Sequence, residues 1–377
     1  GDHRDLHSFP TRRSFDLGEY LTMLELQSRR DLEVAVRSFE ENGRLGQFAG
    51  QAGIRFGSEC HMTNDAWRFT PVEQVLSTGE DPRDPSVADE LLAKGFLVLH
   101  EGKTFWHFDD RWEERPRYVV ALSCLADSPK WLLNCRYYRL SFRDIASSTN
   151  ERTIIFALLP FSTRSETART EICPEARPNS VALAFAALCN TFTFDFLARL
   201  KITGHVQQFI LLSLPVPETL RARVFLSHSS LRLTCNHAGY SILWDEQLPG
   251  VWRETRPGSS WPVLADEPTR WTVRAAIDAV VANLYGLNRE QYAHVLSTFN
   301  HKTYTDAPAQ CMAKFDELLT IGMELFTRRY DPYWDIPLNE ALPTPVVEVP
   351  GLSDADGTGG GFALSSPGAA PKKGRKR

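Results

Sequence analysis

The stretch Asn179–Leu200, NSVALAFAALCNTFTFDFLARL, decides the fold class, because it is helical in pattern and follows a run of strand-like segments. Upstream lie Phe96–Leu99, Arg117–Leu125, Tyr137–Ile145 and Thr153–Leu159, each short, rich in β-branched and aromatic residues, and bounded by turn formers. Strands followed by an apolar helix predict a mixed α/β (α+β) domain rather than a pure sandwich. Downstream, Pro215 and Pro217 punctuate the chain. Ile277, Val280, Val281 and Leu284 then form an i, i+3, i+4, i+7 stripe that stops at Gly286. Asn288 is a suitable N-cap with Gln291 three residues on, and Tyr292, Val295, Leu296 and Phe299 continue an apolar face. The region 270–300 therefore reads as a helical hairpin, and Pro308–Arg329 as a third helix. Toward the N-terminus, Arg29–Glu41 reads as an amphipathic helix ended by Asn42-Gly43, and the glycine-rich Gly43–Gly57 reads as loop. That loop has neither G-x-G-x-x-G spacing nor a G-K-S/T, so it carries no phosphate-binding signature.

Composition bounds the function without naming it. Lys plus Arg is 42 against 47 for Asp plus Glu over 377 residues, so any nucleic-acid contact must come from a local patch rather than from a global basic charge. The longest uncharged run, Pro178–Phe194, is shorter than a membrane span of about 20 residues and contains Asn179, Ser180, Asn190 and Thr191, which argues against a transmembrane protein. Seven cysteines without a C-x-x-C pair do not make a disulfide scaffold, and fit a reducing cytoplasm with buried or idle thiols. Cys60-His61 is the one adjacent soft-ligand pair and lacks a second pair at zinc spacing.

The ends of the chain differ from its middle. Residues 1–17 mix charges, histidines and Pro10 without apolar periodicity, and Arg4–Ser14 (RDLHSFPTRRS) resembles translated sequencing adapter. Segment 1–17 is thus expected to be extraneous or disordered. After Tyr333-Trp334 the chain turns rich in Pro, Gly, Ser and Ala and ends KKGRKR, so 336–377 is expected to be a flexible tail with a basic tip. Between the ends the expected division is a connecting region at 18–115, a recognition-type domain at 116–265 and a helical unit at 266–335.

One segment concentrates groups suited to ligand contact. Along Tyr137–Ile145, alternation places Tyr138, Leu140 and Phe142 on one side of a strand and Tyr137, Arg139, Ser141 and Arg143 on the other. From Lys130 to Arg152 there are five basic residues (Lys130, Arg136, Arg139, Arg143, Arg152) against Asp144 and Glu151. A basic, aromatic strand face suits phosphate contact and base-edge readout; the same residues also make an ordinary solvated face with surface ion pairs. The polar run Ser147-Ser-Thr-Asn150, followed by Glu151 and Arg152, suits binding or a hydrogen-bonded turn equally. Asn190, Asp195, Arg199 and Lys201 sit in apolar helical context and read as structural. Ser227-His228-Ser229-Ser230 has no nucleophile elbow, no compact acidic cluster suggests a nuclease, and 23 prolines include no Pro-Pro, so an N-P-P-Y or D-P-P-Y amine-methylating motif is absent.

Taken together, His61–Phe69 (HMTNDAWRF), Leu99–Lys103 with Phe108–Arg111, Arg143–Thr153 (RDIASSTNERT), Asn190–Arg199 (NTFTFDFLAR), Phe209–Pro217 and Ile277–Leu287 (IDAVVANLYGL) resemble, in order, the region downstream of the catalytic domain in large bacterial site-specific adenine DNA methyltransferases. These include type IIG-like restriction-modification enzymes and phage-defence methylases. The resemblance spans about residues 55–300, with departures at His100 and Lys103. It implies that an upstream Rossmann-like methylase domain, missing here, binds S-adenosylmethionine and methylates the exocyclic amine of a flipped adenine. This chain would then be the target-recognition part, binding double-stranded DNA through Arg139, Arg143, Thr149, Asn150 and Arg152, with no catalytic, cofactor or metal residues, and silent in catalysis alone. The alternative expectation is a stand-alone DNA specificity subunit of a restriction-modification system.

Overall fold

The computed structural model describes residues 24–146, 149–202, 204–218, 222–250 and 261–349. The expectations for 1–17, for Ser147 and Ser148 and for the basic tip at 372–377 lie outside the described residues. In chain order the strands are β1 (Gly43–Arg44), β2 (Phe56–Gly57), β3 (Phe69–Pro71), β4 (Phe96–His100), β5 (Tyr118–Ala121), β6 (Arg139–Arg143), β7 (Phe156–Leu159), β8 (Thr163–Arg164), β9 (Ala168–Glu171) and β10 (Pro215–Val216). The helices are α1 (Arg29–Glu41), α2 (Leu45–Gln51), α3 (Pro85–Ala93), α4 (Pro129–Asn134), α5 (Asn179–Cys189), α6 (Phe192–Arg199), α7 (Gln208–Leu212), α8 (Arg223–Thr234), α9 (Ser241–Gln247), α10 (Glu267–Leu284), α11 (Arg289–Ser297) and α12 (Ala307–Tyr330). The molecule is mixed α and β, with small sheets set against a large helical core.

Two four-stranded sheets and one ribbon carry the strands. The first runs β2-β9-β6-β7, antiparallel throughout, with Leu140 opposite Leu158 and Phe142 opposite Phe156. The second runs β3-β5-β4-β8, antiparallel except for the parallel β4–β8 pair. The β1–β10 ribbon joins Gly43 to Val216. The alternation read along 137–145 is present: Tyr138, Leu140 and Phe142 enter the main core beside α5. Phe142 meets Phe56 edge-on at 5.2 Å and Phe156 at 5.3 Å, and burying each such ring stabilises the fold by about 1.5–3 kcal/mol. Strand β7 (FALL) is buried on both faces, since Ala157 and Leu159 pack with Phe105 while Phe156 and Leu158 face the helices.

The segment 179–200 is two helices, not one. Thr191 accepts from the Phe194 amide and caps α6, and the pair bends by 64°. Every residue of α5 except Val181 is buried, as expected of a helix apolar all round. No single helix among the described residues is long and apolar enough to cross a membrane. Helix α11 carries the expected capping box between Asn288 and Gln291. Gly286, at φ +69°, ends α10 with the Leu287 amide reaching back to the Ala282 carbonyl, a Schellman closure that an L side chain resists. The third helix is α12, interrupted at Gly322 (φ +77°).

Four expectations are corrected. Gly43–Gly57 is not loop; it forms β1, α2 and β2, because Leu45 and Ala49 bury one face of α2 in the main core. Pro85 stands in the first turn of α3. The segment 18–115 is not a linker: its described part supplies β2 to one sheet and β3 and β4 to the other, and Asp31 of α1 pairs with His294 of α11 at 2.7 Å. Residues 336–349 are not a tail, since the Val346 amide bonds the Arg136 carbonyl at 2.8 Å, Asn339 joins Ser180 and Glu246, and Val349 is buried. Nor do 116–265 and 266–335 have separate cores: α5, α8 and α10 share one.

Candidate nucleic-acid interface

On the second face of β6, Arg139 and Ser141 are buried. Arg139 has no exposed surface; its guanidinium is paired with Glu59 and donates to the Ser162 carbonyl at 2.7 Å. Glu59 also accepts from Thr163 Oγ1 at 3.1 Å and from the Arg164 amide at 2.9 Å. A buried charge is tolerated only when paired and hydrogen-bonded, and the partner here stands 80 residues earlier in the chain. Next to this pair, Glu171 accepts from Arg177 Nη2 at 2.6 Å and from the Leu140 amide at 2.9 Å. The strand face read as basic is thus an internal ionic layer, which corrects the expectation that Arg139 faces DNA.

Arg143, at the end of β6, is half-buried. Its Nε donates to the Phe105 carbonyl at 3.0 Å, and the guanidinium lies 4.7 Å from the centre of the Trp106 ring. Burial lowers its pKa to about 10, which leaves it charged at neutral pH.

Beyond β6, the polar segment 149–153 joins exposed residues to a buried anchor. Thr149 and Asn150 are exposed. Arg152, 6% exposed, turns inward: Nε donates to Asp195 Oδ2 at 2.8 Å and Nη2 to the Asn190 carbonyl at 2.7 Å, with Phe192 stacked 4.2 Å below the guanidinium. Asp195 also accepts from the Thr153 amide at 3.0 Å and forms an ion pair with Arg199 Nε at 3.3 Å. Arg199 in turn donates to the Asn150 and Glu151 carbonyls at 2.6 and 2.9 Å. Glu151 ties the loop to the Thr303 amide at 2.9 Å. Arg152 is therefore the loop's anchor rather than an outward cation, a second correction. Asp195, Arg199 and Asn190 are structural, as their helical context suggested.

Two exposed or half-exposed basic residues that local sequence reading missed flank the same segment. Arg169 Nε lies 3.3 Å and His205 Nδ1 3.6 Å from the Asp144 carboxylate. Between them Ile145 is 58% exposed and bridges to His205. Neither was legible, because β9 and the turn before α7 reach Asp144 only through tertiary pairing.

Other motifs resolve into structure. All seven cysteines are free. The Cys60 thiol lies against Thr163 Oγ1 at 3.7 Å, while the His61 ring accepts backbone amides of its own turn, so the two neighbours face different partners. The 43–57 glycines do not form a cofactor cradle: a Cβ on Gly46 would lie 3.2 Å from the Leu212 carbonyl oxygen and one on Gly53 2.7 Å from that of Ala176, so both serve chain packing. Ser227 donates to the Ser180 carbonyl, and His228 pairs with Asp331 at 2.9 Å with its other nitrogen sealed. No protein-family model matches the chain, and no curated protein matches it.

Proposed function

We propose that this chain is the sequence-reading part of a site-specific adenine DNA methyltransferase, which holds double-stranded DNA while an upstream domain carries out methyl transfer from S-adenosylmethionine. The observation that supports the reading is segment 149–153: Thr149 and Asn150 are exposed, and Arg152 two residues on is held in the buried Arg152–Asp195–Arg199 cluster. Readout of a base edge needs hydrogen-bonding groups held in a fixed pose, and an Asn amide can both donate and accept toward one base. Arg143 and Arg169 beside this segment supply the cationic setting in which phosphates would be held. Binding of the methyl donor belongs to the upstream domain, and this chain contributes positioning only.

The test is selection of bound duplexes from a random pool with the full chain, followed by anisotropy titrations at several salt concentrations. The proposal expects an enriched motif whose discrimination falls by about 1–3 kcal/mol at one position in Asn150→Ala, with little change in salt slope. Binding without any enriched motif, or discrimination untouched by Thr149→Ala and Asn150→Ala, refutes it.

A further inference from the structure

A second feature, independent of the DNA reading, lies where α3, β4, α9 and the C-terminal segment meet. They enclose a cavity of about 230 Å³, walled largely by Val98, Tyr138, Phe161, Ile242, Val346 and Val347. This is somewhat below the roughly 300 Å³ at which drug-sized ligands begin to fit.

Most polar groups on its wall are already committed. The Arg83 guanidinium donates to the carbonyls of Thr104, Trp112 and Glu114 and, through Nε and Nη2, to Asp81. His237 Nδ1 accepts from the Gly239 amide at 3.1 Å, so Nε2 carries the proton it donates to both Asp110 oxygens at 2.9 and 3.0 Å. Tyr138 donates to the Gly239 carbonyl and Ser162 to the Pro160 carbonyl. Among the buried ones the exception is His100, 2% exposed. Thr104 gives its one hydroxyl proton to the Glu101 carbonyl at 2.9 Å, so the 2.8 Å contact between His100 Nδ1 and Thr104 Oγ1 has the imidazole as donor. That fixes the tautomer: Nε2 bears a lone pair, and among the described residues nothing donates to it.

We propose that this cavity binds a fragment-sized neutral molecule, an apolar ring bearing one hydroxyl or N–H, seated with that donor on His100 Nε2. His100 lines the cavity and, among the described residues, its Nε2 accepts from no protein group, which gives a ligand's donor its place. A metal is a poor occupant, since His237 and Asp110 are spent on each other and one imidazole does not make a site. Anions are opposed by Asp110 in the wall and Asp89 at the mouth. Burial, and next the nearby Arg164 charge, hold His100 down at about pH 3; surroundings that refuse it a proton refuse an ammonium too. Nucleobases are disfavoured because the committed wall offers too few donors for their several acceptors.

The experiment titrates the full chain with phenol, toluene, benzylamine and adenine. Phenol is expected to bind, to shift the His100 Nε2 nitrogen resonance, and to slow hydrogen exchange at the Val346 amide. In His100→Leu the phenol-to-toluene affinity ratio should fall about tenfold, the weight of one neutral hydrogen bond. If that variant fails to fold, the resonance shift in the unaltered chain decides. Phenol failing to bind, binding without moving that resonance, or yielding to benzylamine or adenine overturns the proposal.

Discussion

Replacing Asp195 by Asn tests the loop anchor with almost no change of shape. The carboxylate stands 2.8 Å from Arg152 Nε and 3.3 Å from Arg199 Nε, and also accepts from the Thr153 amide. At an effective dielectric of about 20, unit charges 2.8 Å apart attract by roughly 6 kcal/mol before desolvation is subtracted. Removing one member of a buried pair costs about 3–5 kcal/mol, because the surviving charge stays desolvated. In Asp195→Asn two guanidiniums survive, and the new amide N–H₂ must face a donor whichever way it turns. The expected loss is therefore about 3–5 kcal/mol in urea unfolding at constant m, or roughly 4–6 °C in Tm for a chain of this size. Adding Arg152→Met, which withdraws one of the orphaned cations, should cost much less on top of Asp195→Asn than it does alone. A loss under about 1 kcal/mol, or strict additivity of the two changes, refutes the anchor and with it the physical basis for a rigid Thr149-Asn150 tip.

Other expectations follow from particular groups. Burial raises the Asp278 pKa to about 7 against the nearby Arg152 charge and the Phe192 amide that it accepts. The folded chain then keeps a proton that the unfolded chain has released, so this group lowers stability as pH rises from about 4 to 7 and the deficit is complete above 7. Asp278→Asn keeps the acceptor, so its stability advantage over the unaltered chain should grow through that window and then level; an advantage that shrinks with pH refutes the assignment. Gly53→Ala, at φ +78° with a Cβ site 2.7 Å from the Ala176 carbonyl oxygen, should lose at least about 1–2 kcal/mol in chemical denaturation. Gly50→Ala, within α2 with open space around it, should gain about 0.5–1 kcal/mol, and equal effects of the two changes would contradict the backbone argument. Arg139→Met should leave the salt slope of duplex binding unchanged while the chain stays folded, since Arg139 has no exposed surface; a slope reduced by about one would return it to the phosphate contacts.

The local features were legible because their causes are local. Helix α1 stops at Asn42; Asn288-x-x-Gln291 opens α11, and Gly286 closes α10. Caps, glycines and apolar spacing act within a turn or two, so the sequence by itself determined these elements, the two faces of β6 and the mixed α and β class. What lay across each face was decided only by tertiary structure. An arginine on a strand reads the same whether it meets water or Glu59, and the choice depends on a carboxylate brought from 80 residues away. The same holds for Arg152, which Asp195 draws inward, and for Gly43–Gly57, whose helix is held by burial of Leu45 and Ala49 rather than by helix propensity. It holds again for residues 336–349, too polar and proline-rich to fold alone, which are ordered by the Arg136 carbonyl, Ser180 and Glu246. Charge burial and partner choice are non-local free energies, set by which surfaces the fold brings together, and a single chain of residues does not encode them at neighbouring positions.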